Sequence, residues 1–177
     1  FVETLEAAKA HAHYSAPLGP NQGRGVACGF WFNVGGESSA QLHINEDGTA
    51  TIITGHPDIG GSRASMVNIT AEMLGVDYRA VRAQIGDTNS IGISATTGGS
   101  RVTFSAGMAV TQVTEKVITT LRERAAMIWE IDVEAVVWED GEARPAGSNA
   151  GEFEPLSLGD LAAKANATGG PINGQVS

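Results

Sequence analysis

The sequence holds one cysteine, Cys28, which excludes an intramolecular disulfide and a thiolate metal cluster. Set within the apolar stretch Val26–Val34, it is expected to be a buried thiol in a protein of a reducing compartment, the cytoplasm. Basic charge is also scarce. Eleven Lys and Arg face twenty Asp and Glu, for a formal charge of -9, and no basic cluster relieves it; nucleic acid and anionic membrane are excluded as electrostatic partners. No apolar run approaches the roughly 18 residues of a bilayer crossing, and the first residues lack the layout of a signal peptide. The chain starts without Met and finishes on the loop-like "ATGGPINGQVS". Residues 1–177 are therefore expected to be a single partial domain of a longer chain.

What is present is a globular composition, 42% hydrophobic, punctuated by 23 glycines. "FVETLEAAKA" has helical spacing, and "SAPLGPNQGRG" stops it with Pro and Gly. Strands are expected at Val26–Val34, Ser39–Ile44 and Thr49–Thr54, the last two joined by a turn at Glu46-Asp47-Gly48. A helix follows from Ala64 to Leu74, closed by Gly75, then a short strand at Ala80–Ile85. The strongest periodicity puts Ala106, Val110, Val113, Val117, Leu121, Ala125 and Ile128 on one stripe, predicting a long helix from Val102 or Thr103 to Trp129. "AVVWEDGEARP" reads as a hairpin around Asp140-Gly141, and Ser157–Ala165 as a short helix with Ser157 and Asp160 at capping-box positions. The fold class is α+β, a mixed sheet flanked by helices.

Twice the chain runs from strand through a Gly- and hydroxyl-rich loop into a helix, at "GHPDIGGSRAS" and at "ATTGGSRVT". The tetrapeptide Gly-Gly-Ser-Arg recurs at 60–63 and 98–101. Free N–H groups at a helix start suit a phosphate; glycines let it approach, and hydroxyls and an Arg add donors. Each feature also has an ordinary structural use in turns and caps. Neither loop fits G-x-x-x-x-G-K-[ST], and Gly23-Arg24-Gly25 does not complete a dinucleotide fingerprint. His11 and His13, two apart, point to different faces of a helix and read as solvated; His43 reads as structural. His56, Asp58 and Asp87 lie near the loops, but no spacing argues a catalytic triad, a carboxylate pair or a metal site.

The ordered motifs "GRGVA", "DGTATIITGHPDIG", "AEMLGV", "IGDT" and "TTGGSRVTFSAGMAV", from about Gly23 to Thr114, resemble the molybdopterin-binding subunit of the xanthine dehydrogenase, aldehyde oxidase and aerobic carbon monoxide dehydrogenase family. The resemblance implies part of a molybdenum hydroxylase, which places water-derived oxygen on an aldehyde or N-heterocycle carbon. It implies a molybdenum–molybdopterin cofactor in the cytosine dinucleotide form, iron–sulfur and FAD centres on partner domains or subunits, and a pocket completed by the rest of the chain. By that resemblance Gly98 and Gly99 are close-approach positions and Ser100 a phosphate ligand, with Thr97 and Arg101 beside them. In the first loop, Gly60-Gly61-Ser62 stands where the family has Gly-Gln-Gly; the resemblance implies cofactor contact there too, weakened by the missing amide side chain or shifted to Ser62 or Arg63. The family's catalytic Glu follows a Gly near the far end of the subunit; Gly141-Glu142 matches those two letters but reads as a hairpin turn. The alternative is a non-catalytic domain of this ancestry that binds a phosphorylated ligand or a protein.

Overall fold

Phe1–Ser177 are all described by a computed structural model, in two units, Phe1–Trp31 and Phe32–Ser177. In the first, α1 (Val2–Ala10) carries Glu3 in its first turn and Lys9 in its last, signs that complement the helix dipole. None of its side chains is buried. A short turn of helix, α2 (Ala12–Ser15), follows, with His11 Nδ1 accepting from the His13 N–H at its start. The Arg24 guanidinium donates to the carbonyls of Tyr14 and Ala16 and folds the Pro/Gly segment back on α2.

The second unit opens with the antiparallel pair β1 (Ala40–Ile44) and β2 (Ala50–Thr54). Their turn is set by Asp47, whose carboxylate accepts from the Thr49 N–H at 3.0 Å and hydroxyl at 2.7 Å. Helix α3 (Ser62–Leu74) then crosses to β3 (Val81–Ile85), which pairs parallel with β2. Parallel pairing requires such a crossover. Its consequence is positional: Thr54 pairs with Ile85, so the loops leaving β2 and β3 start side by side at one end of the sheet.

The second loop leads into a π-helical turn, Val102–Ala106, and then α4 (Gly107–Trp129). Val110, Val113, Val117, Leu121 and Ala125 are fully buried along α4, in one core with Ala40, Leu42, Ala50 and Ile52 of the sheet. Burial of each larger side chain contributes about 2 kcal/mol. Beyond α4, β4 (Val136–Glu139), β5 (Glu142–Pro145) and β6 (Leu156–Ser157) make a small antiparallel sheet, and α5 (Leu158–Ala163) starts on the expected capping box. The last strand, β7 (Asn173–Val176), returns to pair with β1, giving the order β3-β2-β1-β7. The architecture is the expected α+β fold with a mixed sheet flanked by helices.

Three expectations are corrected. The terminal "INGQVS" is not a loop; Asn173–Val176 form β7, where Gly174 lets α4 approach, since a Cβ there would meet Val117 Cγ2 at 3.1 Å and Val113 Cγ2 at 3.2 Å. Val26–Val34 form no strand: the edge of β1 is taken by β7, and aromatic composition cannot make a ladder without a partner strand. Phe30 and Trp31 are 87% and 73% exposed, and Cys28 with them lies on the surface rather than in a core.

Gly75 closes α3 in a left-handed conformation, φ +70°, with its N–H on the Ala71 and Glu72 carbonyls. A Cβ there would overlap the Gly141 amide of the β4–β5 turn, while Trp138 Nε1 caps the Leu74 carbonyl at 3.1 Å. Gly75→Ala combines left-handed strain with a backbone clash and is expected to destabilise by about 3 kcal/mol. A urea midpoint unchanged from that of the parent protein would contradict this account of the α3–hairpin junction.

Candidate functional site

Both Gly-Gly-Ser-Arg loops border one cleft of about 480 Å³, lined by Ile59 and Ser62 from the first and by Thr97, Gly98, Ser100, Arg101, Val102, Thr103 and Phe104 from the second. It lies beyond the carboxyl ends of parallel strands β2 and β3, where open α/β sheets commonly bind ligands.

In the first loop, Gly60 and Gly61 adopt φ +62° and +83°, and added Cβ atoms would meet nothing within 4 Å. The start of α3, however, is already capped from within. Asp58 accepts from the Arg63 N–H at 3.0 Å and from its guanidinium at 2.8 Å, contacts that hold its carboxyl below the usual range. The Ser62 side chain is turned to the Ile59 N–H, and the Ser62 N–H donates to the Ile59 carbonyl. Arg63 and Ser62 thus serve their own loop.

The second loop is different. The backbone N–H groups of Thr97, Gly98, Gly99 and Ser100 engage no acceptor of the chain. Gly98 is exposed and a Cβ there would meet nothing within 4 Å, so a ligand can reach the backbone. Gly99, at φ +57°, is backed by Val34, whose N–H donates to its carbonyl at 3.2 Å. Ser100 is exposed and also left-handed, φ +58°, a conformation that costs an L-residue about 1 kcal/mol or more. Glu130 and Asp140 share that conformation at a helix end and a hairpin turn; Ser100 holds it at the cleft. The π-helical turn that follows is another local irregularity of a kind frequent at functional sites.

Arg101 does not present its charge to the cleft. It is 2% exposed, and all three guanidinium nitrogens donate into the chain: Nε to the Gly35 carbonyl at 2.6 Å, Nη1 to the Ala95 carbonyl, and Nη2 to the Glu37 carbonyl and, at 3.1 Å, to Ser38 Oγ. Gly35 and Gly36, at φ +66° and +96°, wind the backbone so that these carbonyls converge, and a Cβ on Gly36 would lie 3.3 Å from Nη2. Sequence reading did not single out residues 35–38. Their only signal was a Gly-Gly pair followed by Glu37 and Ser38.

Ser38 carries the network onward to His56, 3% exposed, with Oγ 3.1 Å from Nε2. Because Arg101 donates to Ser38 Oγ, the hydroxyl proton is free to point at Nε2, which fits a neutral imidazole protonated on Nδ1. Burial, and then the neighbouring Arg101 charge, hold the His56 pKa below 6.5. The unfolded chain therefore takes up a proton that the folded one resists. Stability falls as pH drops below 6.5 toward the folded pKa, and the effect is absent above 6.5. His56→Gln should flatten the fall in urea midpoint between about pH 6.5 and pH 5, a window above the one in which the carboxylates titrate. An equal fall in both proteins would contradict the neutral assignment.

Residues 3–177 match a family model described as a molybdopterin cofactor-binding domain. The chain is 32% identical over 152 residues to the aldehyde oxidoreductase molybdenum-binding subunit PaoC of Escherichia coli K12, covering 85% of this chain and 20% of PaoC. It thus spans about one fifth of the length of the curated relatives it matches. Its fold is similar to that of the reconstituted CO dehydrogenase from Oligotropha carboxidovorans, with TM-score 0.71 and 21% identity over 78% of this chain and 18% of that one. Quinoline 2-oxidoreductase from Pseudomonas putida 86 gives TM-score 0.65 and 23% identity over the same shares. These two likenesses establish the fold, and the family model covers nearly every residue: the chain belongs to the molybdopterin cofactor-binding domain family.

Proposed function

We propose that this chain is the cofactor-binding portion of a molybdenum hydroxylase, and that the Thr97–Ser100 loop holds the phosphate end of a molybdenum–pterin cofactor. One observation carries the reading: in a run of four unengaged amides, those of Thr97, Gly98 and Ser100 belong to residues lining a cleft, with the Ser100 hydroxyl beside them and Gly98 leaving the backbone open. The residues present fit such a group, since the donors are neutral and fixed and require no displaced partner. Thr97 adds a second hydroxyl at the cleft wall. From the first loop, Ser62 lines the cleft while remaining bonded to its own loop, next to Gly60 and Gly61, whose backbone is open.

When bound, the cofactor supplies the redox-active metal for oxygen insertion and electron release. This chain's part is to bind and orient it, with no side chain here assigned to proton transfer. Gly141-Glu142 belongs to the β4–β5 hairpin turn, with Asp140 and Gly141 at φ +51° and +81°, and is not offered as the catalytic Gly-Glu of the resemblance. The PaoC likeness supports an aldehyde as substrate, with an N-heterocycle as the other option the family resemblance allows. Iron–sulfur and FAD centres on partner domains or subunits, the cytosine dinucleotide form and a cytoplasmic location complete the proposal. No helix here is long and apolar enough to cross a membrane.

The missing amide side chain at Gly60-Gly61-Ser62 favours a second reading, a domain that keeps the phosphate loop for another phosphorylated ligand. The full-length protein, produced in a host that makes the cofactor, separates them: folded protein lacking both molybdenum and pterin fluorescence supports the second reading.

Gly98→Val and Ser100→Ala supply a sharper measurement. Both positions face open cleft, so stability should change by no more than about 0.5 kcal/mol. Molybdenum per protein should nevertheless fall severalfold, through lost access in the first and a lost hydroxyl donor in the second. Full molybdenum content and activity in both variants would contradict the assignment of the loop.

A further inference from the structure

We infer that Arg101 is a positioning residue: its buried guanidinium fixes the Thr97–Ser100 loop against residues 35–38, and Ser38 extends the tie through His56 to the first loop. The inference rests on the cofactor reading above. It differs from an arginine that binds the anion, because the guanidinium donors are spent on carbonyls of the chain.

The geometry argues for the tie on both sides of the loop. Ala95, just before it, offers its carbonyl to Nη1, and its N–H donates to the Glu37 carbonyl at 3.2 Å. Arg101, just after it, donates its own N–H to the Gly98 carbonyl at 3.2 Å. The ends of the loop are thereby fastened to each other and to Gly35–Ser38, which leaves Gly99 and Ser100 to complete the turn in left-handed conformations. The unengaged amides follow: a loop held from behind by one cation needs no bonds of its own on the cleft side. Ser38 Oγ, within reach of both Arg101 and His56, joins the two loops that share the cleft. A lysine cannot replace this arrangement, since one ammonium cannot span three carbonyls set around a planar fork.

The test uses the full-length protein from a cofactor-producing host, as Arg101→Lys and, in case that variant folds poorly, the milder Ser38→Ala. Two quantities are read: hydrogen exchange in peptides containing Val34, Ala95 and Arg101, whose amides close the loop, against peptides spanning Val113 and Val117 of α4; and molybdenum per protein. Arg101→Lys should speed loop exchange at least about tenfold, leave α4 unchanged and lower molybdenum at least about threefold, with Ser38→Ala shifting both the same way by less. Unchanged loop exchange in both variants overturns the inference. Equal acceleration in α4 overturns it as well, by showing general destabilisation, and so does faster loop exchange with full molybdenum occupancy. Failure of the cofactor reading is seen separately, as absence of molybdenum from the unsubstituted protein; the exchange measurement then decides alone whether Arg101 sets the loop.

Discussion

The site depends on one cation kept out of water. Removing a guanidinium from solvent costs several kcal/mol, and each charge-assisted hydrogen bond returns about 1.5–3 kcal/mol. Arg101 is therefore stable in its buried position only while most of its donors are used together, as they are on Gly35, Glu37, Ser38 and Ala95. That requirement makes the arrangement cooperative. It fixes a left-handed Gly35-Gly36 pair on one side and the left-handed Gly99-Ser100 pair on the other. It also accounts for a neutral His56, since a second buried charge beside Arg101 would be opposed by both burial and repulsion.

The rest of the fold brings these pieces together. Parallel pairing of β2 and β3 puts the exits of two loops next to each other, and α3 and α4 then start from those loops. The two helix starts are treated in opposite ways. At α3 the chain spends its own carboxylate, Asp58, on the Arg63 amide and guanidinium. Before α4 it leaves the amides of Thr97–Ser100 unspent. Sequence similarity between two Gly-Gly-Ser-Arg loops thus conceals a division of labour, one shaping the cleft and the other offering donors.

How much of this was legible in the sequence follows from the range of the interactions. The stripe from Ala106 to Ala125, the β1–β2 and β4–β5 turns and the Ser157–Asp160 capping box rest on contacts within a few residues, and each was readable. β7 was not: Asn and Gly are poor strand formers, and the segment is a strand because β1 has an open edge and Gly174 makes room for Val113 and Val117. Val26–Val34 failed in the opposite direction, with strand composition and no partner strand. The loops at 60–63 and 98–101 were found by their recurrence, but the direction of Arg101 is decided by carbonyls more than sixty residues earlier in the chain. No local pattern reports that.

The central claim is that the backbone of Thr97–Ser100 receives the anionic group while Arg101 stays behind it. A crystal structure of the full-length, cofactor-loaded protein tests this most directly. The account predicts phosphate oxygens about 3 Å from those amides, with the guanidinium still on the carbonyls of Gly35, Glu37 and Ala95. Density showing Arg101 swung out onto the phosphate, or the cofactor seated away from this loop, would contradict it.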